Sequence, residues 1–149
     1  MPVSSASKFE WFFREVASLD VDKDDLKRYS GFINGKLHDL LVVGQATATA
    51  NRRDIMEPFD LPITKGLQQS IDEFKRLDTE IDLKTVLEGL TTWPPLDVSL
   101  SEETEARLPL IAGGLSVALA RTFKILKPDL PNPQTAHWEQ AFRVFHLLL

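Results

Sequence analysis

Cysteine is absent from the 149 residues, which excludes disulfides, thiolate zinc sites and cysteine nucleophiles. Histidine is scarce. His38, His137 and His146 are the only three, and no two stand four apart, the spacing that lets imidazoles on one helical turn share a metal. Neither a metal nor a cofactor is expected. Long hydrophobic runs are missing: nothing approaches the ~18 uninterrupted apolar residues of a membrane span. The start, MPVSSASKFEWFF, has no basic stretch followed by an apolar one. A cytoplasmic chain without membrane association is predicted. There is also no basic excess. The net charge is −5, and both parts of the chain are negative, with 11 basic against 13 acidic residues in 1–78 and 6 against 9 in 79–149. Generic attraction to a polyanion is therefore weak. No glycine-rich phosphate loop or nucleophile elbow occurs. The carboxylate clusters Asp22/Asp24/Asp25 and Glu102/Glu103/Glu105 stand at expected helix starts, where capping accounts for them. No catalytic residue emerges, and the chain is expected not to be an enzyme.

What is present is amphipathic helix. Hydrophobic residues make up 43% and charged residues 26%, the balance of a globular chain, and the length fits one domain over 1–149. Phe9, Phe12, Phe13 and Val16 share one helical face, with Ser7 as its cap. Leu19-Asp20-Val21 breaks the pattern as an extended link. A long helix of roughly 28 residues follows from Asp22–Asp25, with Leu26, Tyr29, Ile33, Leu37, Leu40 and Leu41 as its stripe and Asn51 as its left-handed end. Residues 52–57 form a loop with one extended pair. Pro58 opens a third helix, and Pro62 separates its first turn. Leu67, Ile71 and Phe74 are its buried face.

The second part repeats this plan. Leu83, Val86, Leu87 and Leu90 match the first helix, and Leu96-Asp97-Val98 matches Leu19-Asp20-Val21, offset by the insert Trp93-Pro94-Pro95, which stiffens the connection. A second long helix starts at Ser99 or Ser101, Ser99 and Glu102 having capping-box spacing. It buries Leu108, Ile111, Leu115, Leu119, Phe123 and Leu126, with a kink or split at Pro109. Asn132 and Pro133 open the last helix, which buries Trp138, Ala141, Phe142, Phe145 and Leu149. Residues 1–78 and 79–149 thus each read short helix, long helix, short helix. Gly31 and Gly35 lie mid-way along the first long helix, and Gly113 and Gly114 mid-way along the second. Because helical glycine costs ~1 kcal/mol against alanine, the two helices are expected to cross there, with Gly35 close to Gly113 or Gly114.

In the loop before the third helix, Arg53 and Asp60 stand seven apart in Arg53-Asp54-Ile55-Met56-Glu57-Pro58-Phe59-Asp60-Leu61. This resembles the Arg and Asp clamp of histone folds. The corresponding positions of the second half, Pro128 and Thr135, carry no clamp. The stretches KFEWFFREV, DVDKDDLKRYSGFINGKL, LPITKGLQ, LSEETEARLP and GGLSVALARTFKI resemble a small family of uncharacterised bacterial proteins with two fused histone folds. The resemblance implies an all-α fold, a tandem pair of histone folds forming one intramolecular pseudo-dimer. It implies no established activity. Where DNA-wrapping histones hold phosphates, this chain has Trp11, Asp20, Asp54 and Ile55, so carboxylates replace cations. The remaining candidates for nucleic-acid or partner contact are Arg52 and the stripe Arg121, Lys124 and Lys127. The leading expectation is a non-enzymatic protein acting through protein–protein contact or self-association. The alternative is a nucleoid-associated DNA-binding protein using a non-standard surface.

Overall fold

The aromatic face at the start of the chain becomes α1 (Ser5–Ala17), with Phe9, Phe12 and Phe13 fully buried. The computed structural model describes residues 5–77 and 95–149. Ser7, expected as a cap, falls within the first turn of α1, because the helix starts two residues earlier. The helix ends where Ser18 takes a positive φ of 53°. Leu19 N then donates to Phe13 O (3.2 Å), and Asp20 N crosses to Pro131 O (2.8 Å).

Helix α2 (Lys23–Ala50) has the expected 28 residues. Asp22 Oδ1 accepts from Asp24 N (2.9 Å) and Asp25 N (3.0 Å), while Asp25 Oδ2 accepts from Asp22 N (3.2 Å). Three backbone donors at the helix start are thereby satisfied, with Asp22 and Asp25 bonded reciprocally. The left-handed residue at the far end is not Asn51, whose φ is −97°, but Arg52, at φ 60°. Because the helix continues to Ala50, Asn51 is its cap, and the reversal falls one position later. Arg52 N donates to Thr49 O (3.0 Å) and Arg53 N to Ala48 O (2.9 Å), the bond pair of a Schellman end.

The chain then forms β1 (Ile55–Met56), a single 3₁₀ turn (Pro58–Asp60) and α3 (Lys65–Leu77). Pro62 separates the turn from the helix, as its missing N–H requires. Thr64 Oγ1 caps α3 by accepting from Leu67 N (3.1 Å). β1 pairs in parallel with β2 (Ser99–Leu100), Ile55 opposite Ser99 and Met56 opposite Leu100. The buried Thr104 hydroxyl also donates to Met56 O (2.8 Å).

Helix α4 (Glu102–Leu126) is capped by Ser101, not Ser99, which is held in β2. Pro109 lies inside α4 without splitting it. The carbonyl it frees belongs to the exposed Glu105, where solvent can take the bond. Among the described residues α4 alone is long and apolar enough to cross a membrane, and 56% of that stretch is buried inside the fold. The last helix, α5 (Thr135–Leu148), begins two residues later than Pro133 would place it. Gln134 is the cap, its N–H donating to His137 Nδ1 (2.9 Å).

The described residues are mostly helical and make an all-α fold. The core centres on Tyr29, Phe9, Phe13, Phe123 and Trp138, whose rings meet edge-on or tilted, an arrangement that adds to their area burial. Of the residues placed in the core, Leu126 is 39% exposed and Val16, Leu26, Leu108, Phe142 and Leu149 are half-buried. The expected helix at Leu83, Val86, Leu87 and Leu90, together with Trp93 and Pro94, lies outside the described residues.

The midpoint glycines have a different partner from the one expected. A Cβ on Gly113 would meet three ring atoms of Phe74 at 2.2–2.3 Å, and one on Gly114 would meet Ile71, side chain and backbone, at 2.5–3.0 Å. The helix received by these glycines is therefore α3 rather than α2. Gly35 instead lines a groove between α2 and α5. The long helices do touch, through Tyr29 Oη and Ser116 Oγ at 2.5 Å.

Candidate functional site

The loop after α2 is held by one ion pair. Arg53 Nη1 and Nη2 donate to Asp60 Oδ2 and Oδ1 at 2.6 and 2.7 Å, a bidentate geometry that fixes orientation as well as charge. Asp60 Oδ2 also accepts from Glu57 N (2.8 Å), and Arg53 Nη1 reaches Ile55 O (3.3 Å). The Asp60 side chain is 2% exposed and that of Arg53 33%. The Arg53 hydrogen bond holds the Asp60 carboxyl below the usual carboxylate range, and the same bond raises the Arg53 guanidinium. The outer face of Arg53 lies over the exposed Phe59 ring, 5.0 Å from its centroid, a cation–π contact. The clamp is structural: it shapes the loop that delivers β1 to β2. Composition gave no reason to single out Phe59.

The cationic candidates do not converge. Arg121 pairs with Glu73 of α3, and Lys124 Nζ donates to Leu130 O (2.7 Å), closing the loop after α4. Of that stripe, Lys127 is exposed and forms no ion pair among the described residues, and Arg52 at the end of α2 is likewise exposed and unpaired. Each loop end also presents carboxylates. Asp20 and Asp129 are exposed at one end, Asp54 and Asp97 at the other. At the position matching the missing second clamp, Thr135 Oγ1 instead accepts from Arg28 Nη2 (2.8 Å). Among the described residues no group of three His, Asp or Glu is placed to hold a metal ion.

A different surface is built from apolar side chains. Ile125 is 78% exposed, Leu147 86% and Leu148 74%. Ala118, Thr122 and Ile125 share one face of α4, and Val144, Leu147 and Leu148 share one face of α5. Between them and the start of α3 runs a groove of about 370 Å³, lined by Leu67, Ala118, Thr122, Val144 and Leu148. The signal for it was present in the chain. In Leu147-Leu148-Leu149 consecutive residues point about 100° apart, so three in a row cannot all face one core.

Residues 9–146 match the family described as Domain of unknown function (DUF1931). Two Aquifex aeolicus proteins, each described as uncharacterised, are similar: one is 24% identical over 78% of this chain and 68% of its own length, the other 30% identical over 87% and 82%. The crystal structure of a Thermus thermophilus protein is similar over the whole of both chains, with 52% identity and a TM-score of 0.90. A crystal structure of an Aquifex aeolicus protein shares the fold at 22% identity and a TM-score of 0.85, over 97% of this chain and 95% of that one.

Proposed function

Because the chain belongs to the DUF1931 family, whose description leaves its activity open, we propose the function from the geometry: a non-enzymatic, tandem histone-fold protein that works through protein–protein contact. Two loop pairings support the tandem reading. β1, from the second loop of the first half, pairs with β2, from the first loop of the second half. At the other end Asp20, in the first loop of the first half, bonds Pro131 in the second loop of the second half. Each half therefore lends its first loop to the other's second, the exchange that two clasped copies of one motif would make.

The observation that carries the contact reading is the apolar face of α4, α5 and the start of α3. Large exposed apolar patches on a soluble fold mark interaction sites. Here exposed leucines stand beside an apolar trough on the same patch. Such a patch fits its own copy about a two-fold axis, each leucine seated in the other's trough. We take the occupant to be a second copy, since an isologous contact needs only this one surface. Sedimentation equilibrium over roughly 1–200 µM, a range bracketing micromolar affinity, tests this. A dimer in the parent chain and a monomer in Ile125→Glu/Leu148→Glu is the expected result. A monomer in the parent throughout, or an unchanged dimer in the variant, overturns it.

A further inference from the structure

The second groove has a different chemistry. It lies between α2 and α5, has a volume of about 440 Å³ and is lined by Lys27, Arg28, Gly31, Phe32, Lys36 and Phe142, together with Gly35, Asp39 and His146. That is the size range of small-molecule sites, which combine apolar walls with a few convergent polar groups. One wall is the stacked pair Phe32 and Phe142, with centroids 4.3 Å apart and planes inclined at 15°. The floor is open at Gly31, which lacks a side chain. A Cβ on Gly31 would have no atom within 4 Å. Glycine inside a helix lowers its stability by ~1 kcal/mol against alanine, and at Gly31 no close packing among the described residues accounts for it.

The cations decide the ligand class. Lys36 is only 3% exposed, yet its ammonium has loose partners: Asp39 Oδ2 at 3.4 Å, itself half-exposed, and Leu149 O at 3.5 Å. Three donors on that nitrogen leave one N–H with no partner among the described residues. A buried charge so thinly compensated is costly unless an anion comes to it. Lys27 is exposed and forms no ion pair among the described residues, and Arg28 divides its guanidinium between Thr135 and a long contact to Asp25 (3.9 Å). Among the described lining residues Asp39 is the one carboxylate beside three cations, so positive charge prevails there.

We propose that this groove binds a small aromatic anion, its ring over the open glycine floor against Phe32 and Phe142 and its acid group on Lys36 and Lys27. The site is separate from the apolar face of α4 and α5 and does not depend on self-association.

The test is a titration of the full chain with naphthalene-2-carboxylate, followed by amide chemical shifts. Saturable shifts should concentrate on Gly31, Phe32, Gly35, Lys36 and Phe142. The neutral naphthalene-2-methanol should bind roughly tenfold more weakly, the value of a charge-assisted hydrogen bond. Gly31→Leu fills the floor at an open helical position, so it should not lower the melting temperature and should abolish the shifts. Lys27→Gln should weaken binding several-fold without unfolding. Non-saturating shifts, shifts centred on Leu67, Ala118 and Leu148, or binding unchanged in Gly31→Leu would each overturn the assignment.

Discussion

Arg53 grips Asp60 through two parallel hydrogen bonds of 2.6 and 2.7 Å across the loop that carries β1. Burial alone would oppose the Asp60 charge, and the guanidinium outweighs it, since the carboxyl is held below its ordinary range. A carboxyl with a lowered folded-state pKa adds stability that is fully present above its unfolded value, about pH 4, and fades as pH falls through the folded value. Asp60→Asn should therefore lower the melting temperature by several degrees at pH 7 and flatten its dependence on pH below about 4. Melting curves from pH 2.5 to 7 check both. A variant as stable as the parent at pH 7 would show that the clamp contributes nothing.

The glycines should respond in opposite directions. Gly31→Ala adds a methyl to open space and should stabilise by about 1 kcal/mol through helix propensity. Gly113→Ala and Gly114→Ala drive the same methyl into Phe74 and into the Ile71 backbone, and overpacking of this kind costs about 1–3 kcal/mol. The shift at Gly114 should be the harder to relieve, because backbone cannot rotate aside as a ring can. Urea unfolding of the three variants ranks them. Equal effects at Gly31 and Gly114 would contradict the packing described here.

These positions also mark what could be read from the chain. Periodicity located all the described helices, since buried faces repeat every three or four residues, and the resemblance of the Arg53 and Asp60 spacing to the histone-fold clamp pointed to the ion pair. A glycine, however, reports only that something comes close. It carries no information on whether Gly113 receives Gly35 or Phe74. Cap positions slipped by one or two residues at Asn51 and Asn132 for a similar reason, and of the two starts open for the second long helix, Ser99 and Ser101, the second is the cap. Several neighbouring polar residues can cap equally well, and tertiary contacts such as the pairing of Ser99 with Ile55 choose among them. The grooves escaped notice because each joins residues more than 50 positions apart, Leu67 with Leu148 and Gly31 with Phe142.

Tyr29 and Ser116 join α2 to α4 inside the core. Ser116 Oγ donates to Ala112 O (2.7 Å), so its single proton is committed and the Tyr29 hydroxyl must be the donor between the two. Burial raises the Tyr29 pKa far above the physiological range, which keeps that proton in place. Tyr29→Phe leaves Ser116 bonded to Ala112 and should cost about 1 kcal/mol, whereas Ser116→Ala strands a buried hydroxyl donor and should cost about 1–3 kcal/mol. Denaturant unfolding of both variants and the double mutant gives the coupling. A larger loss for Tyr29→Phe than for Ser116→Ala would reverse the donor assignment.

Duplex DNA should bind weakly and without sequence preference, with dissociation constants no better than the ~10⁻⁴ to 10⁻⁶ M of non-specific binders at physiological salt. Affinity of this kind comes from counterions released as cations neutralise phosphates, so it needs several free Lys or Arg on one surface. Arg53 is spent on Asp60, Arg121 on Glu73 and Lys124 on the Leu130 carbonyl. Arg52 and Lys127 remain exposed at the ends of the two long helices, with no ion pair among the described residues. The loop pairs carry Asp20 with Asp129 and Asp54 with Asp97, all exposed, and each such carboxylate repels a phosphate brought near it. Two cations opposed by Asp54, Asp97 and Asp129, with Asp20 beside Arg14 (3.8 Å), give a shallow salt dependence, a slope of about −2 or less in log K against log salt at ~0.9 per phosphate contact. Fluorescence anisotropy with a labelled duplex at two salt concentrations measures affinity and slope together. Sub-micromolar binding at ~0.15 M salt with a slope steeper than about −5 would require roughly six neutralised phosphates. It would place DNA, rather than a second copy of the chain, on the surface of this fold.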